Sequence, residues 1–281
     1  MSNEIAIYTP ESEFKNKRQF FRAMFRDVKQ SRELAWNLFK RDIQGQYRQS
    51  LLGFFWAFVT PVITATTFTL ASNFKVLNIG TTGIPYPAYI VFSTTLWQTF
   101  VESVNVPMAA TNGSMSLFTR IKMPKEAPIM AKILEIYFNF LIKLILIVAV
   151  FIIYRLPVSS YALLAPFALT CMIVFGLAIG LLLTPVSGIY SDIGRGLSAI
   201  LSVGMFITPV VYPRPKEGFF GSIVNANPVT HLLIGIRELT LFGKIPNLEL
   251  FISVSIVGFV LLFIAWVLFR LSMPFVIERR S

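Results

Sequence analysis

The sequence predicts an all-α integral membrane protein: six transmembrane helices, an N-terminal amphipathic interface helix and short re-entrant helices before the last span. Three observations carry this. The chain is 55% hydrophobic and only 14% charged, with a mean hydropathy of +0.67; soluble domains carry roughly 25% charged residues. Apolar runs near the ~20 residues that a helical span requires recur from residue 51 to residue 270. Lys and Arg gather in alternate connections, the bias expected of cytoplasmic loops.

Residues 1–50 form a cytoplasmic N-terminal region, and 51–281 the transmembrane domain. In the first, "FKNKRQFFRAMFRDVKQ" places Phe14, Phe21, Phe25 and Val28 near one helical face, with Lys17, Arg18, Arg22, Arg26 and Lys29 around the rest. Such a helix can lie in the headgroup plane or pack its basic face on a partner. The spans read as 51–72, 86–110, 128–154, 161–185, 197–212 and 249–270, the fifth being short. The segment 213–243 is too polar to span simply and too apolar for a free loop, so it reads as short helices dipping back toward the membrane.

Basic residues set the orientation. They crowd residues 15–48, return as Arg120, Lys122 and Lys125, and close the chain as Arg279 and Arg280. Both termini are therefore expected on the cytoplasmic side. The formal charge of +11 is explained by these loops and does not call for nucleic acid. Cys171 is the only cysteine and His231 the only histidine, which excludes an intrachain disulfide and a histidine metal cluster. The acidic start "MSNEIAIYTPESEF" lacks the basic flank and apolar region of a signal peptide.

The stretch "RDIQGQYRQSLLGFFWAFVTP" passes from charged to apolar without a turn residue. This predicts a helix that leaves the inner surface and enters the bilayer. Arg41 and Arg48 then sit near phosphate depth, with Tyr47 as an amphipathic anchor. Guanidinium groups bind phosphate oxygens bidentately, although anchoring to anionic lipid needs the same residues.

Four stretches together, "LFKRDIQGQYRQSLLGFFWAFVTP", "LFTRIKMPKEAPIMAKILE", "SGIYSDIGRGLSAILSVGMFITPVVYP" and "NPVTHLLIGIRELTLFG", resemble the permease subunits of type-two ABC exporters. The likeness is closest to those that export lipid-linked polysaccharide such as O-antigen and teichoic acid. It implies a homodimer of six-span subunits joined to two copies of an ATPase subunit. No cofactor is then expected on this chain, ATP and Mg being bound by the ATPase. In keeping with that, the sequence holds no G-x-x-x-x-G-K-[ST] phosphate cradle. The implied place is a bacterial cytoplasmic (inner) membrane, crossed several times.

The resemblance assigns roles. In 111–127, Leu117, Phe118, Arg120 and Ile121 make an apolar and basic knob suited to a partner's groove, and the likeness implies that it is the ATPase-coupling helix. Packing on the chain's own spans is the plainer reading of these residues. In 213–243 it implies an extracellular gate. There Asn227 reads as an N-cap, Pro228 as the first helical residue, and Gly243 as the end. His231 lies on this gate helix. For the substrate the residues themselves, not the resemblance, suggest that Arg41 and Arg48 meet the diphosphate and Tyr47 the first sugar, with Tyr47, Phe54 and Phe58 lining a path on which sugar C–H faces stack. Lipid-facing packing accounts for most other aromatics.

Two polar faces lie inside the spans: Gln98, Glu102 and Asn105 on the second, and Lys132, Glu135, Asn139 and Lys143 on the third. A charge this deep needs a partner or water, so Lys143 either lines the path or pairs with an acid or backbone carbonyl. Asp192 and Arg195, three apart, read as a structural ion pair. Two other functions stay open at this point. One is export of a small hydrophobic drug or lipid; the other is a membrane glycosyltransferase or phosphotransferase, against which stands the lack of a D-x-D carboxylate pair.

Overall fold

A computed structural model of the chain describes residues 17–48, 55–75, 80–120, 123–190, 192–215 and 217–280. The described residues form helices joined by turns. In order they are α1 (Lys17–Arg48), α2 (Trp56–Asn73), α3 (Tyr86–Gly113), the short α4 (Met115–Arg120) and α5 (Glu126–Ile153). A tight helical turn over Ser160–Leu164 runs into α6 (Ala165–Ile189), followed by α7 (Asp192–Ile207), α8 (Gly218–Ala226), α9 (Pro228–Phe242) and α10 (Leu248–Arg280).

The bundle is built around α3 and α6. Lipid gives helices no hydrophobic reason to associate, so close packing of backbones must do it, and small residues permit that. Gly180 of α6 shows the requirement: a Cβ there would stand 2.0 Å from the carbonyl oxygen of Val104 on α3. The long α10 packs along α6, α5 against α3 and α1, and α2 against α3. Helix α3 is the least apolar of the long central helices and the most enclosed. Its buried Thr94, Thr95 and Thr99 return their hydroxyls to the carbonyls of Ile90, Val91 and Thr95 at 2.6, 2.7 and 2.9 Å. Their polarity is thereby satisfied within the helix, as burial demands.

Among the described residues, three helical units are long and apolar enough to cross a membrane: α5, the 160–189 unit and α10. The α8–α9 pair, bent by 84°, makes a fourth if it counts as one broken span. The expectation of six spans leans on α2, α3 and α7 as well, and none of these meets length and hydropathy together. Helix α7 has 16 residues, about 24 Å at 1.5 Å per residue, against a hydrocarbon core of about 30 Å. Its helix begins at Asp192, in register with the exposed Asp192–Arg195 pair at 3.3 Å, rather than at residue 197.

Helix α1 packs on the bundle through a face other than that of Phe21 and Phe25. The buried stripe is Phe20, Met24, Ser31 and Ala35, while Phe21 and Phe25 remain 38% and 59% exposed. Asp27 explains the choice of face. Its carboxylate accepts from Arg270 of α10, which also donates to Glu126 of α5 at 3.1 Å and lies over the Phe20 ring. This three-helix clasp turns the Asp27 face inward, while on α10 Phe263 stacks with Phe21 and Trp266 meets Phe25 edge-on. Phe14 lies outside the described residues.

Candidate functional site

A charged crevice of about 630 Å³ opens where α1 passes the C-terminal end of α3 and the first turns of α5. The end of α3 contributes only small residues here, Ala109, Ala110 and Gly113, and so leaves the space. Charge comes from the flanking helices. Arg41 donates through Nε and Nη2 to Oδ1 of Asp42 at 3.0 and 2.8 Å. Lys132 reaches Oδ2 of the same carboxylate at 3.1 Å and donates to Glu135 at 2.6 Å. Burial pushes the Asp42 carboxyl up, but the hydrogen bonds and charges of Arg41 and Lys132 outweigh it and leave it below its ordinary value.

The chain of four charges is internally balanced. Two of the five guanidinium N–H donors of Arg41 serve Asp42, and the side chain is 65% exposed at the mouth. Its remaining donors are therefore presented to the crevice. Among the expected substrate residues, Arg41 alone is seen to line this space. Tyr47 and Arg48 end α1, one and two residues beyond the crevice's Gln46, and their side chains lie outside the described residues, as does all of Phe54. Phe58 is on α2, half-buried against Phe55 at 6.3 Å between ring centres, and does not line the crevice.

Sequence spacing put Lys132, Glu135, Asn139 and Lys143 on one face, and the structure divides that face between two neighbours. Lys132 and Glu135 meet α1. Lys143, further along α5, pairs with Glu102 of α3. The pairing of Lys143 with an acid is the structural alternative. Asp42 was the residue missed. Its signal was the Arg41–Asp42 neighbourhood in sequence, which gives no hint that Lys132 lies across from it.

Helix α4 places Met115 in a small apolar cluster with Phe269 and Met273 of α10, and Phe118 packs against the same cluster. Leu117 is half-buried beside it. The knob is thus seated on the chain's own helices and partly open. The side chain of Arg120 and all of Ile121 lie outside the described residues.

The α8–α9 elbow turns at Asn227, whose side chain caps Val229 N–H at 3.0 Å and donates to Thr208 at 2.9 Å. Pro228 is the first residue of α9, and Gly243 ends the helix at φ 70°. His231 is buried, 2.8 Å from the Asn225 carbonyl at the end of α8. Arg237 is buried in the same segment. Its side chain is 4% exposed, bonds Ser93 of α3 at 3.0 Å and lies 4.3 Å from the Tyr89 ring. Tyr89 in turn donates to the carbonyl oxygens of Pro209 and Tyr212 at 3.1 and 2.6 Å. The elbow is pinned into the bundle by polar contacts that no local pattern announces.

The chain is similar to the O-antigen export system permease protein RfbA of Myxococcus xanthus, 24% identical over 88% of this chain and 95% of that protein. It is also similar to the protein of the same name from Klebsiella pneumoniae, 20% identical over 73% of this chain and 79% of that one. The family pattern described as ABC-2 type transporter matches residues 33–241, a stretch from the middle of α1 to the end of α9, and the chain belongs to that family of membrane permeases.

Proposed function

We propose that this chain is the membrane subunit of an ATP-driven exporter that moves a polyprenyl-diphosphate-linked polysaccharide, such as O-antigen, across the bacterial cytoplasmic membrane. The supporting observation is the similarity along 88% of the chain to a protein named as an O-antigen export permease. Family membership implies an ABC ATPase as partner. In the proposed assembly two copies of this chain form a homodimer with two ATPase subunits, which bind ATP and Mg. Both termini face the cytoplasm, the chain has six spans, and the elbow at 213–243 is re-entrant and closes the outer end of the path.

The mechanism assigns binding and reorientation to this chain, with no covalent step. The crevice beside Arg41 receives the diphosphate through charge-assisted hydrogen bonds, and aromatic side chains offer the glycan weak stacking at many points. Deleting the gene in its host tests the reading. Surface polysaccharide should disappear while the lipid-linked glycan accumulates inside, and the intact gene should restore export. Unchanged surface glycan with altered drug susceptibility would overturn it in favour of a small-molecule exporter.

A further inference from the structure

At the end of the bundle away from the Arg41 crevice, a cleft of about 570 Å³ lies between α5, the 160–164 turn and α6. Phe92 and Leu96 of α3 and Ile236 of α9 are among its lining residues. Its α5 wall runs from Phe140 to Ile152, about 18 Å at 1.5 Å per residue, close to one leaflet's half of a roughly 30 Å hydrocarbon core. Leu144, Val148 and Ile152 on that wall are 36%, 49% and 71% exposed, so the cleft opens sideways along the apolar flank.

The lining is apolar except for Thr240 and Arg155. Thr240 spends its hydroxyl on the Ile236 carbonyl at 2.8 Å. The exposed Arg155 makes no side-chain hydrogen bond or ion pair among the described residues. It occupies the position just past the end of α5 at φ 50°, where glycine is favoured. The turn is closed by Leu156 N–H on the Phe151 carbonyl at 2.9 Å and Arg155 N–H on the Ile152 carbonyl at 3.2 Å. Phe151 is itself held edge-on by Phe92. The turn therefore carries a cation at the end of an apolar slot about one leaflet deep.

We propose that the cleft holds one acyl chain of an anionic phospholipid, with the Arg155 guanidinium on its phosphate. An apolar occupant alone would leave Arg155 without a role; an anionic lipid uses both the slot and the charge. The lipid lies against Ile236 and Thr240, and so braces α9 against α5. This inference does not depend on what the transporter carries.

The test uses the delipidated full-length permease with its ATPase, native mass spectrometry, and added phosphatidylglycerol, phosphatidylcholine or polyprenyl phosphate. One phosphatidylglycerol per permease chain should be retained most tightly. Arg155→Gln should weaken it about fivefold, the ratio for one basic residue at a lipid surface, and Arg155→Lys should keep most of the affinity. Ala162→Trp, and Val148→Trp as a second filling variant, should remove both phospholipids from assembled protein. Phosphatidylglycerol binding unchanged in Arg155→Gln or in both filling variants would overturn the proposal. So would stronger retention of polyprenyl phosphate, or a change in the number of permease chains on filling the cleft.

Discussion

Lys143 of α5 and Glu102 of α3 form an ion pair within the bundle, donated from Nζ to Oε1, in which the lysine side chain is 5% exposed and the glutamate 33%. The asymmetry decides which partner can be lost. Glu102→Leu strands a buried ammonium, and breaking such pairs costs about 3–5 kcal/mol. Lys143→Met leaves a glutamate whose Oε2 is buried without a partner but whose side chain is still one-third exposed, and should cost less. We predict that Glu102→Leu lowers the melting temperature more than Lys143→Met, and that the double variant regains most of the loss. A double variant no more stable than Glu102→Leu would show that the pair is not the unit.

Local signals were the legible ones. Asn227, Pro228 and Gly243 mark the limits of α9 because caps act within a turn of the chain. Spacing also placed Lys132, Glu135 and Lys143 on one face, but a period names a face and not the neighbour that covers it. The stripe by which α1 packs on the bundle, Phe20, Met24, Ser31 and Ala35, was not legible, because the Asp27 carboxylate beside it is held by Arg270, far along the chain. Arg237 gave no signal for the same reason: Ser93 and Tyr89, which bury it, lie over a hundred residues away.

The Asp42 clasp should be sensitive to acid. Its carboxyl lies below the ordinary value in the folded protein, so the stabilisation is present above the unfolded pKa, about 3.9, and is lost as pH falls through the lower folded value. Amide exchange across residues 38–46 should stay slow from neutral pH to about pH 4 and quicken below. Asp42→Asn should exchange faster at neutral pH and show a flatter acid response. Identical profiles would assign the clasp elsewhere.

Gly243 has two reasons to be glycine. Its φ is 70°, and a Cβ there would meet Ser159 Oγ at 2.5 Å. Gly243→Ala should cost about 1–3 kcal/mol from backbone conformation, as such residues do, plus the clash. Adding Ser159→Gly should relieve that contact but leave the one with Tyr161 Cδ2 at 2.9 Å and the backbone share, read as a partial recovery of melting temperature. Complete recovery would mean that the positive φ carries no cost.

If 111–127 couples to the ATPase, its open surface should matter more than its seat. Phe118 packs on the Met115–Phe269 cluster, whereas Leu117 is half-buried beside it. We predict that Leu117→Asp leaves the permease folded and loses ATPase co-purification, while Phe118→Ala lowers thermal stability first. Normal assembly and normal stimulated turnover in Leu117→Asp would place the contact on another surface.

The last prediction concerns Arg41 and Arg48. Arg41 stands at the mouth of the crevice with its fork only partly used by Asp42, and Arg48 follows two turns along α1. If they bind a diphosphate, the planar fork matters; if they anchor α1 to anionic lipid, at ~1 kcal/mol each, charge alone suffices. Arg41→Lys/Arg48→Lys keeps the charge and removes the forks. Hydrogen bonds to charged groups contribute roughly 1.5–3 kcal/mol, so the double variant should lower the affinity for lipid-linked glycan, read from stimulated ATPase activity, by about tenfold or more. Expression, membrane insertion and basal ATPase activity should be unchanged. Tyr47 lies between them in sequence, and Tyr47→Ala should shorten the glycan range that stimulates without altering the response to a bare polyprenyl diphosphate. Full stimulation in the double lysine variant would make the two arginines lipid anchors, because the charge that survives the substitution is all that anchoring uses.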